Sequence, residues 1–497
     1  MEHEFAKDLL ERTSGADEIS GNEIILQTDG PTAFDTWMQA IQAAEHYIHF
    51  ENYIIRDDSL GVRFRDLLVS KALDGVEVRV LYDWLGCWAT QRSFWKPLRD
   101  AGVEVRDFNK PSLKDPYAMF QRDHRKLVVV DGKTAFSGGF CVGEEWVGIG
   151  NNPPWRDTGI MINGPAASVA NRAFGKTWSM AGGVMPATIP VEEMDAQGET
   201  SVWLIEGEPG KSRVLRTLAL VAAAARERLW ITDPYFVAPG AIAEALISAA
   251  SAGVDVRVLV PANNNWPLVG SFSRAGYRHL LENGVRLFEW QGNMIHAKSS
   301  VADGLWSRIG SSNLNTWSLL GNWEIDVGVL DKSLAAELEK TFLMDLRSSS
   351  EVLLPGQANL ESVKVVGVDT VQTNWLNRSG IKEASTRSSR LVLGKDHLGR
   401  KLRLTHLVGA GFSLSEALAG KRILGREDRT VLGVVSFIAI VLAILFSFFP
   451  KVLSWSIAGI FSWLGIVTGV RVFRDKFYST DNINTVQFNS SNSRGNE

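Results

Sequence analysis

The chain has 497 residues, 45% of them hydrophobic and 22% charged, with a formal net charge of −4. That length gives room for more than one globular unit, and the acidic balance argues against a chain whose main task is gripping nucleic acid. Two cysteines, Cys87 and Cys141, can build neither a disulfide framework nor a four-ligand zinc site, so a reducing compartment is the natural home.

The first residues, MEHEFAKDLLERTSGADEIS, are too charged for a secretory signal, which places the folded part on the cytoplasmic side. They read as a loose or helical lead-in over 1–21. From Asn22 strands and helices alternate. The strand EIILQTDG is followed by a helix near Pro31–Glu45, the strand YIHFENYII, a helix near Gly61–Leu73 and the strand VEVRVLYDW. A helix through Trp95–Ala101 and the short strand VEVRDF complete this α/β rhythm. The same order then returns at an offset of roughly 170 to 180 residues, the mark of a duplicated unit. ERLWITDPYFV from Glu227 matches EHYIHFENYII from Glu45, and the stretch from Ala252 to Leu259 matches that from Asp74 to Leu81. The run Asn283–Phe288 likewise matches Ala101–Arg106. The expected halves are 22–190 and 191–380, the second including a further strand-like run, VKVVGV.

Beyond them the character changes. Residues 381–429 are basic, with eleven Lys/Arg against five Asp/Glu from Lys382 onward, and read as a membrane-proximal segment or a solvated linker. Thr430–Phe449 and Val452–Val470 are uncharged runs of about the ~20 residues that a bilayer-spanning helix needs, separated by Pro450 and Lys451. Arg422, Arg426 and Arg429 flank one outer end and Arg471, Arg474 and Lys476 the other. A transmembrane hairpin with both termini in the cytoplasm is expected. The tail, 471–497, is polar and expected to be disordered.

The chemistry gathers at two matching stretches, QRDHRKLVVVDGKTAFSGG from Gln121 and MIHAKSSVADGLWSRIGSSN from Met294. Each carries a His, a Lys two places on and an Asp five places further: His124, Lys126 and Asp131, then His296, Lys298 and Asp303. On a strand, residues two apart share a face, so His and Lys point the same way. A duplicated unit packed about a pseudo-two-fold axis would set both faces across one cleft. Displacement at phosphorus needs an attacking group and, on the far side, a proton donor for the leaving oxygen. Two imidazoles with an ordinary pKa near ~6.5 can divide those tasks, one neutral and one protonated. The lysines supply fixed positive charge to the non-bridging oxygens, and Ser311 and Asn313, in the turn after the second motif, are placed to bind the phosphate. No metal or other cofactor is demanded. An attacking imidazole needs its second nitrogen held, and each half offers a carboxylate about thirty residues past its His, Asp157 in WRDTGIMI and Glu324 in NWEIDVGV. Asp131 and Asp303 enter the catalytic set with the motif, although their odd spacing from the Lys turns them to the opposite strand face, where a salt bridge or turn contact is expected.

The doubled H-x-K-x4-D, the Gly-Ser-x-Asn after the second copy and the WRDTG segment resemble the phospholipase D superfamily, and within it bacterial cardiolipin synthases and related phosphatidyltransferases. The resemblance covers about residues 22–350 and implies two duplicated α/β halves, each a mixed sheet flanked by helices, with one active site between them. It also implies a phosphohistidine intermediate, with His124 as nucleophile and His296 as acid/base; the residues alone leave the reverse assignment open. In such synthases a phosphatidyl group passes from one phosphatidylglycerol to the glycerol hydroxyl of another. Two departures stand out: Cys141 occupies the place of Asn313 in the first copy, and the apolar hairpin lies at the C-terminus.

The implied function is a phosphatidyltransferase on the cytoplasmic face of the bacterial inner membrane, with phosphatidylglycerol and an anionic membrane as partners. A phospholipid hydrolase would use the same residues. A nuclease is disfavoured by the acidic balance and the hairpin, and a non-catalytic adaptor by the intact His and Lys of both copies. The 17 tryptophans include Trp84, Trp88, Trp95, Trp146, Trp155, Trp317 and Trp323 near the motifs, amphipathic rings suited to a site that draws headgroups from an interface, though for any one of them core packing is the better reading.

Overall fold

The structure, a computed structural model, describes residues 2–110, 121–148, 152–185, 195–354 and 389–392, with the single positions 150 and 462. The expected hairpin at Thr430–Phe449 and Val452–Val470, the VKVVGV run, the polar tail and most of the basic segment therefore lie outside the described residues. Among the described residues no helix is long and apolar enough to cross a membrane.

The elements run α1 (Glu2–Ser14), β1 (Glu18–Gln27), α2 (Gly30–Gln42), β2 (Tyr47–Asn52), α3 (Ser59–Leu73), β3 (Glu77–Asp83), α4 (Lys96–Asp100), β4 (Glu104–Phe108), β5 (Lys126–Val130), β6 (Thr134–Gly138), β7 (Gly159–Asn163) and α5 (Pro165–Met180). The second series is β8 (Thr200–Gly207), α6 (Arg213–Ala224), β9 (Arg228–Thr232), α7 (Gly240–Ser251), β10 (Asp255–Pro261), α8 (Pro267–Glu282), β11 (Arg286–Trp290), β12 (Ser299–Ala302), β13 (Trp306–Gly310), α9 (Thr316–Gly321), β14 (Glu324–Leu330) and α10 (Lys332–Arg347). β15 (Ser349–Leu353) and β16 (Ser389–Val392) follow.

Strand order makes the duplication visible. The first series pairs as β1-β7-β6-β5-β2-β3-β4 and the second as β8-β14-β13-β12-β9-β10-β11, and β1 joins β8 antiparallel where the series meet. In both, the three strands separated by helices are parallel and the rest antiparallel, so each sheet is mixed. The motif strand β5 is Lys-Leu-Val-Val-Val and buried throughout, a central strand with β-branched residues on both covered faces. Aspartates start the helices where the chain turns back: Asp29, Asp58 and Asp331 accept from backbone amides at the first turns of α2, α3 and α10.

Three cores fill the space. α2, α3 and α4 cover one face of the first sheet around Phe34, Trp37 and Phe64. α6, α7 and α8 cover the second sheet around Leu218, Leu246 and Tyr277. The third core is shared: α5 and α10 bury Phe174, Trp178, Leu338 and Phe342 with residues of both sheets, welding the halves along their inner faces. The lead-in is a helix, and its Leu10 enters the core of the second half. Within the expected membrane-proximal segment, β16 adds to β15 as a parallel strand.

Candidate active site

Both motif histidines sit just before a strand, and in each case the backbone there is stitched to the other half. The His124 amide donates to the Trp323 carbonyl at 2.8 Å and the Trp323 amide to the Arg122 carbonyl at 2.8 Å. Across the pseudo-symmetry, the His296 amide donates to the Arg156 carbonyl at 2.6 Å and the Arg156 amide to the Met294 carbonyl at 2.8 Å. Trp323 and Arg156 directly precede Glu324 and Asp157, so these bridges deliver each carboxylate to the imidazole of the opposite half. His124 Nδ1 meets Glu324 Oε2 at 2.9 Å and His296 Nδ1 meets Asp157 Oδ2 at 2.7 Å. Each expected orienting acid thus lies beside a histidine, with the pairing crossed between copies. Arg125, buried behind His124, reinforces one crossing by donating from Nε to the Glu324 carbonyl at 3.2 Å.

The carboxylates are themselves held, by groups the sequence reading did not place. Asp157 Oδ2 also accepts from Trp146 Nε1 at 2.7 Å and Oδ1 from the Thr158 amide at 2.8 Å. Glu324 Oε2 accepts from Ser311 Oγ at 2.6 Å, while Oε1 takes bonds from Ser318 Oγ and from Asn322 Nδ2. With both oxygens occupied, each carboxylate is fixed as an acceptor for Nδ1–H, which leaves Nε2 of the imidazole as the atom that can attack or carry a proton. Ser311, expected at the phosphate, is committed elsewhere: it donates to Glu324 and accepts from the Ile325 amide at 2.9 Å. Asn313 is buried with its side-chain oxygen lacking a hydrogen-bond partner, and its amide nitrogen on the backbone is tied to Ser318 Oγ at 2.9 Å.

The lysines lie wholly buried against the histidines. Lys126 Nζ donates to the His124 carbonyl, and Lys298 Nζ approaches the His296 ring to 2.9 Å. Each ammonium also faces a tyrosine ring, Lys126 over Tyr53 at 5.0 Å and Lys298 over Tyr235 at 5.8 Å. The same tyrosines meet the imidazoles edge to face, at 4.7 Å for Tyr53 and His124 and 5.9 Å for Tyr235 and His296. Tyr53 and Tyr235 occupy equal positions in the matched stretches from Glu45 and Glu227, so the repeat itself could have found them.

Both imidazoles feel both lysines, which places the two motifs in one electrostatic environment. Burial first, then the positive charges, push His124 down to about 4 against the pull of Glu324. His296 falls to about 3 through burial and Lys298, opposed by Asp157. Without substrate both rings are therefore neutral near pH 7, in place of the one-neutral, one-protonated pair expected from unperturbed values. Burial alone would raise the Asp157 carboxyl, but the charge and hydrogen bond of His296 hold it down at about 2. Glu324 is likewise kept below its ordinary value against burial by His124 and Lys126. Burial and the neighbouring Lys126 lower Lys298 to about 8.

Asp131 and Asp303 do not reach this site. They sit at the far ends of β5 and β12, five residues beyond the lysines, or roughly 16 Å along an extended strand. Both have positive φ, 52° and 51°, and with Gly132 and Gly304 they form the two central residues of tight hairpin turns closed by Lys133 N to Val130 O and Leu305 N to Ala302 O. Each carboxylate accepts from three successive backbone amides of the neighbouring strand start, Glu45, His46 and Tyr47 in one half and Arg226, Glu227 and Arg228 in the other. Both therefore make the turn contact that their odd spacing from the lysines predicts. Cys141, at the place equivalent to Asn313, is buried, and burial pushes its thiol up while Lys126 and Lys298 pull it down. Among the described residues no group of His, Cys, Asp or Glu is arranged to hold a metal ion.

Known proteins match both halves of the chain. The family profile described as "Cardiolipin synthase, PLD-like domain" matches residues 37–145 and 220–346, one segment in each half. Cardiolipin synthase A of Pseudomonas putida (strain W619) is 34% identical over 358 residues, covering 70% of this chain and 74% of the relative. Cardiolipin synthase of Alkalihalophilus pseudofirmus is 34% identical over 349 residues, covering 68% and 69%. Among solved structures, phosphatidylserine synthase of Haemophilus influenzae Rd KW20 superposes with a TM-score of 0.55 at 12% identity, over 70% of this chain and 92% of that one, a likeness of fold.

Proposed function

Because the chain belongs to the cardiolipin synthase family of phospholipase D-like proteins, we propose that it is a membrane-bound phosphatidyltransferase that makes cardiolipin from two molecules of phosphatidylglycerol, with release of glycerol. The observation that carries this reading is the crossed pair of buried imidazoles, each with Nδ1 held by a carboxylate and both within reach of the same two lysine charges.

His124 Nε2 attacks phosphorus, the bond to the glycerol oxygen breaks, and that oxygen takes its proton from His296. A phosphohistidine and free glycerol result. The terminal hydroxyl of a second phosphatidylglycerol then gives its proton to His296 and attacks phosphorus, and the P–N bond breaks to release cardiolipin and neutral His124. The phosphodiester adds a negative charge to those of Asp157 and Glu324. It offsets Lys126 and Lys298, whose charges add to burial in holding both imidazoles unprotonated, and so favours the proton that His296 must donate. The lysines stabilise the non-bridging oxygens, where charge builds in the transition state, and Asn313 offers an amide to the same oxygens. Asp157 and Glu324 keep the tautomer that presents Nε2. These roles need no metal.

The placement of the enzyme follows from the residues beyond the described ones: Thr430–Phe449 and Val452–Val470 would anchor it as a hairpin in the bacterial inner membrane, with both termini and the 22–190 and 191–380 halves on the cytoplasmic face. Phosphatidylglycerol presented to the purified full chain in detergent micelles tests the reaction. Cardiolipin with free glycerol is expected; phosphatidic acid in its place would mark a hydrolase, and neither product would overturn both.

A further inference from the structure

We propose that the edge of the molecule around the two histidines is a docking surface for an anionic lipid bilayer, with Trp88 and Leu85 from the first half and Trp266 and Phe272 from the second as its anchors. The inference rests on the phosphatidyltransferase reading, since a site that works on a bilayer lipid must meet the bilayer.

The geometry is repeated in the two halves. The active-site end of β2 is marked by the pairing of Asn52 with Lys126, and Tyr53, the ring against His124, comes next in the chain. The loop after β3 lies directly on that tyrosine: a Cβ on Gly86 would fall 1.9 Å from the Tyr53 carbonyl oxygen. This loop carries Leu85, 40% exposed, and Trp88, 74% exposed. In the second half the loop after β10 lies on Tyr235, the ring against His296. Asn264 Nδ2 donates to the Pro234 carbonyl at 2.7 Å and the Tyr235 hydroxyl to Asn265 Oδ1 at 2.9 Å. The next residue is Trp266, 64% exposed, and Phe272 follows on α8. Exposed apolar groups gathered in one place mark an interaction surface, and here an exposed indole lies in the loop against each histidine's tyrosine.

The distribution is selective. The exposed tryptophans among the described residues are Trp88, Trp266 and Trp317; the last follows Asn315, whose side chain donates to the Tyr235 carbonyl, so all three belong to this edge. Indole rings prefer the level of lipid headgroups, with the apolar body facing inward and the N–H in the wet layer. The charge of the two segments suits an anionic surface although the chain as a whole is acidic. Trp84–Lys96 holds Arg92 and Lys96 and no carboxylate, and Ala262–Leu281 holds Arg274, Arg278 and His279 and no carboxylate. Lys96, Arg274, Arg278 and His279 are paired with acids outside those segments or at their border, which leaves Arg92 on the exposed face of the first loop. Anchors on both sides of the cleft would fix its mouth toward the membrane, where a single anchor would let it swivel.

The test uses the full chain in vesicles of phosphatidylglycerol and phosphatidylcholine, with an environment-sensitive fluorophore attached through Trp88→Cys, Trp266→Cys or, as control, Leu73→Cys. Leu73 is 72% exposed at the end of α3 remote from the histidines, and the native Cys87 and Cys141 are buried. The docking surface predicts blue-shifted emission and several-fold stronger quenching by brominated phosphatidylglycerol at 88 and 266 than at 73. Quenching no greater than at 73 would overturn it, as would shielding that grows with protein concentration and ignores brominated lipid, the mark of a second copy on this face. The readout needs no turnover. A chain that docks yet makes no cardiolipin would fail the catalytic reading, and one that makes cardiolipin with both labels in water would fail only this one.

Discussion

Asp157→Asn is the change that most directly probes the crossed arrangement. Both oxygens of Asp157 are acceptors, Oδ2 for Trp146 Nε1 and His296 Nδ1 and Oδ1 for the Thr158 amide. An amide keeps one oxygen, so its NH2 must face either the Thr158 N–H or the pair of donors on the other side. Losing a charge-assisted bond costs about 1.5–3 kcal/mol, and a buried donor left without an acceptor costs about 1–3 kcal/mol more. Even if only ~3 kcal/mol of this falls on the transition state, turnover should drop by about 10²-fold. The informative assay varies the leaving group, comparing phosphatidylglycerol with a phosphatidyl ester of p-nitrophenol, which departs without protonation. Loss of the acid is then partly rescued and loss of the nucleophile is not. Asp157→Asn should show the leaving-group profile of His296→Ala, and Glu324→Gln that of His124→Ala, whichever ring attacks. Matching within the halves, with Asp157→Asn following His124→Ala, would refute the crossed pairing.

Asp131→Ala and Asp303→Ala should each lower stability by about 2–4 kcal/mol, because three backbone amides lose one shared acceptor; turnover per folded molecule should stay near that of the parent, and a loss beyond tenfold at full folding would return these residues to the chemistry. Ser311→Ala removes a donor from Glu324 and an acceptor from the Ile325 amide, so stability should fall by about 1–3 kcal/mol and turnover by roughly tenfold, measured as unfolding midpoint and specific activity. Acid should weaken the fold: His124 and His296 bind protons near 4 and 3 when folded and near ~6.5 when unfolded, so the unfolded chain holds more protons between those values and stability falls as pH drops from about 6.5 toward 4. The slope is at most ~1.4 kcal/mol per pH unit for each ring, and His296→Ala should flatten the denaturant-midpoint profile; a parent midpoint unchanged between pH 7 and 5 would contradict the burial argument. At the other limb, Lys298 titrates at about 8, so turnover should decline above that pH as its charge is lost.

Much of the architecture could be read without coordinates because it is written locally. The runs from Asp74 and Ala252 share a helix-to-strand junction and become β3 and β10, and the His-x-Lys pairs lie together at the entries to β5 and β12, with both histidines and Lys298 ahead of the strands themselves. The Asp-Gly pairs at 131 and 303 carried a hairpin signal that their odd spacing from the lysines already supported. The crossed partners had no such local mark. They depend on the parallel bridges Asp123 with Trp323 and Arg156 with Ile295, contacts between residues far apart in sequence. In the sequence Trp146 is one tryptophan among many, and only the fold sets its indole nitrogen on Asp157. The depressed imidazoles were equally hidden, since their cause is burial beside two ammonium groups that come from different halves.

The stitching of each histidine to the opposite copy also bears on how such a chain can change. In a dimer of identical subunits every substitution appears twice, once on either side of the symmetry axis, and must suit both tasks. Here one polypeptide carries both copies, and a substitution lands on a single side. Asn313 at the position that Cys141 holds in the first copy is that freedom made visible: one copy carries an amide there and the other a thiol, so the attacking and proton-carrying sides can be tuned apart.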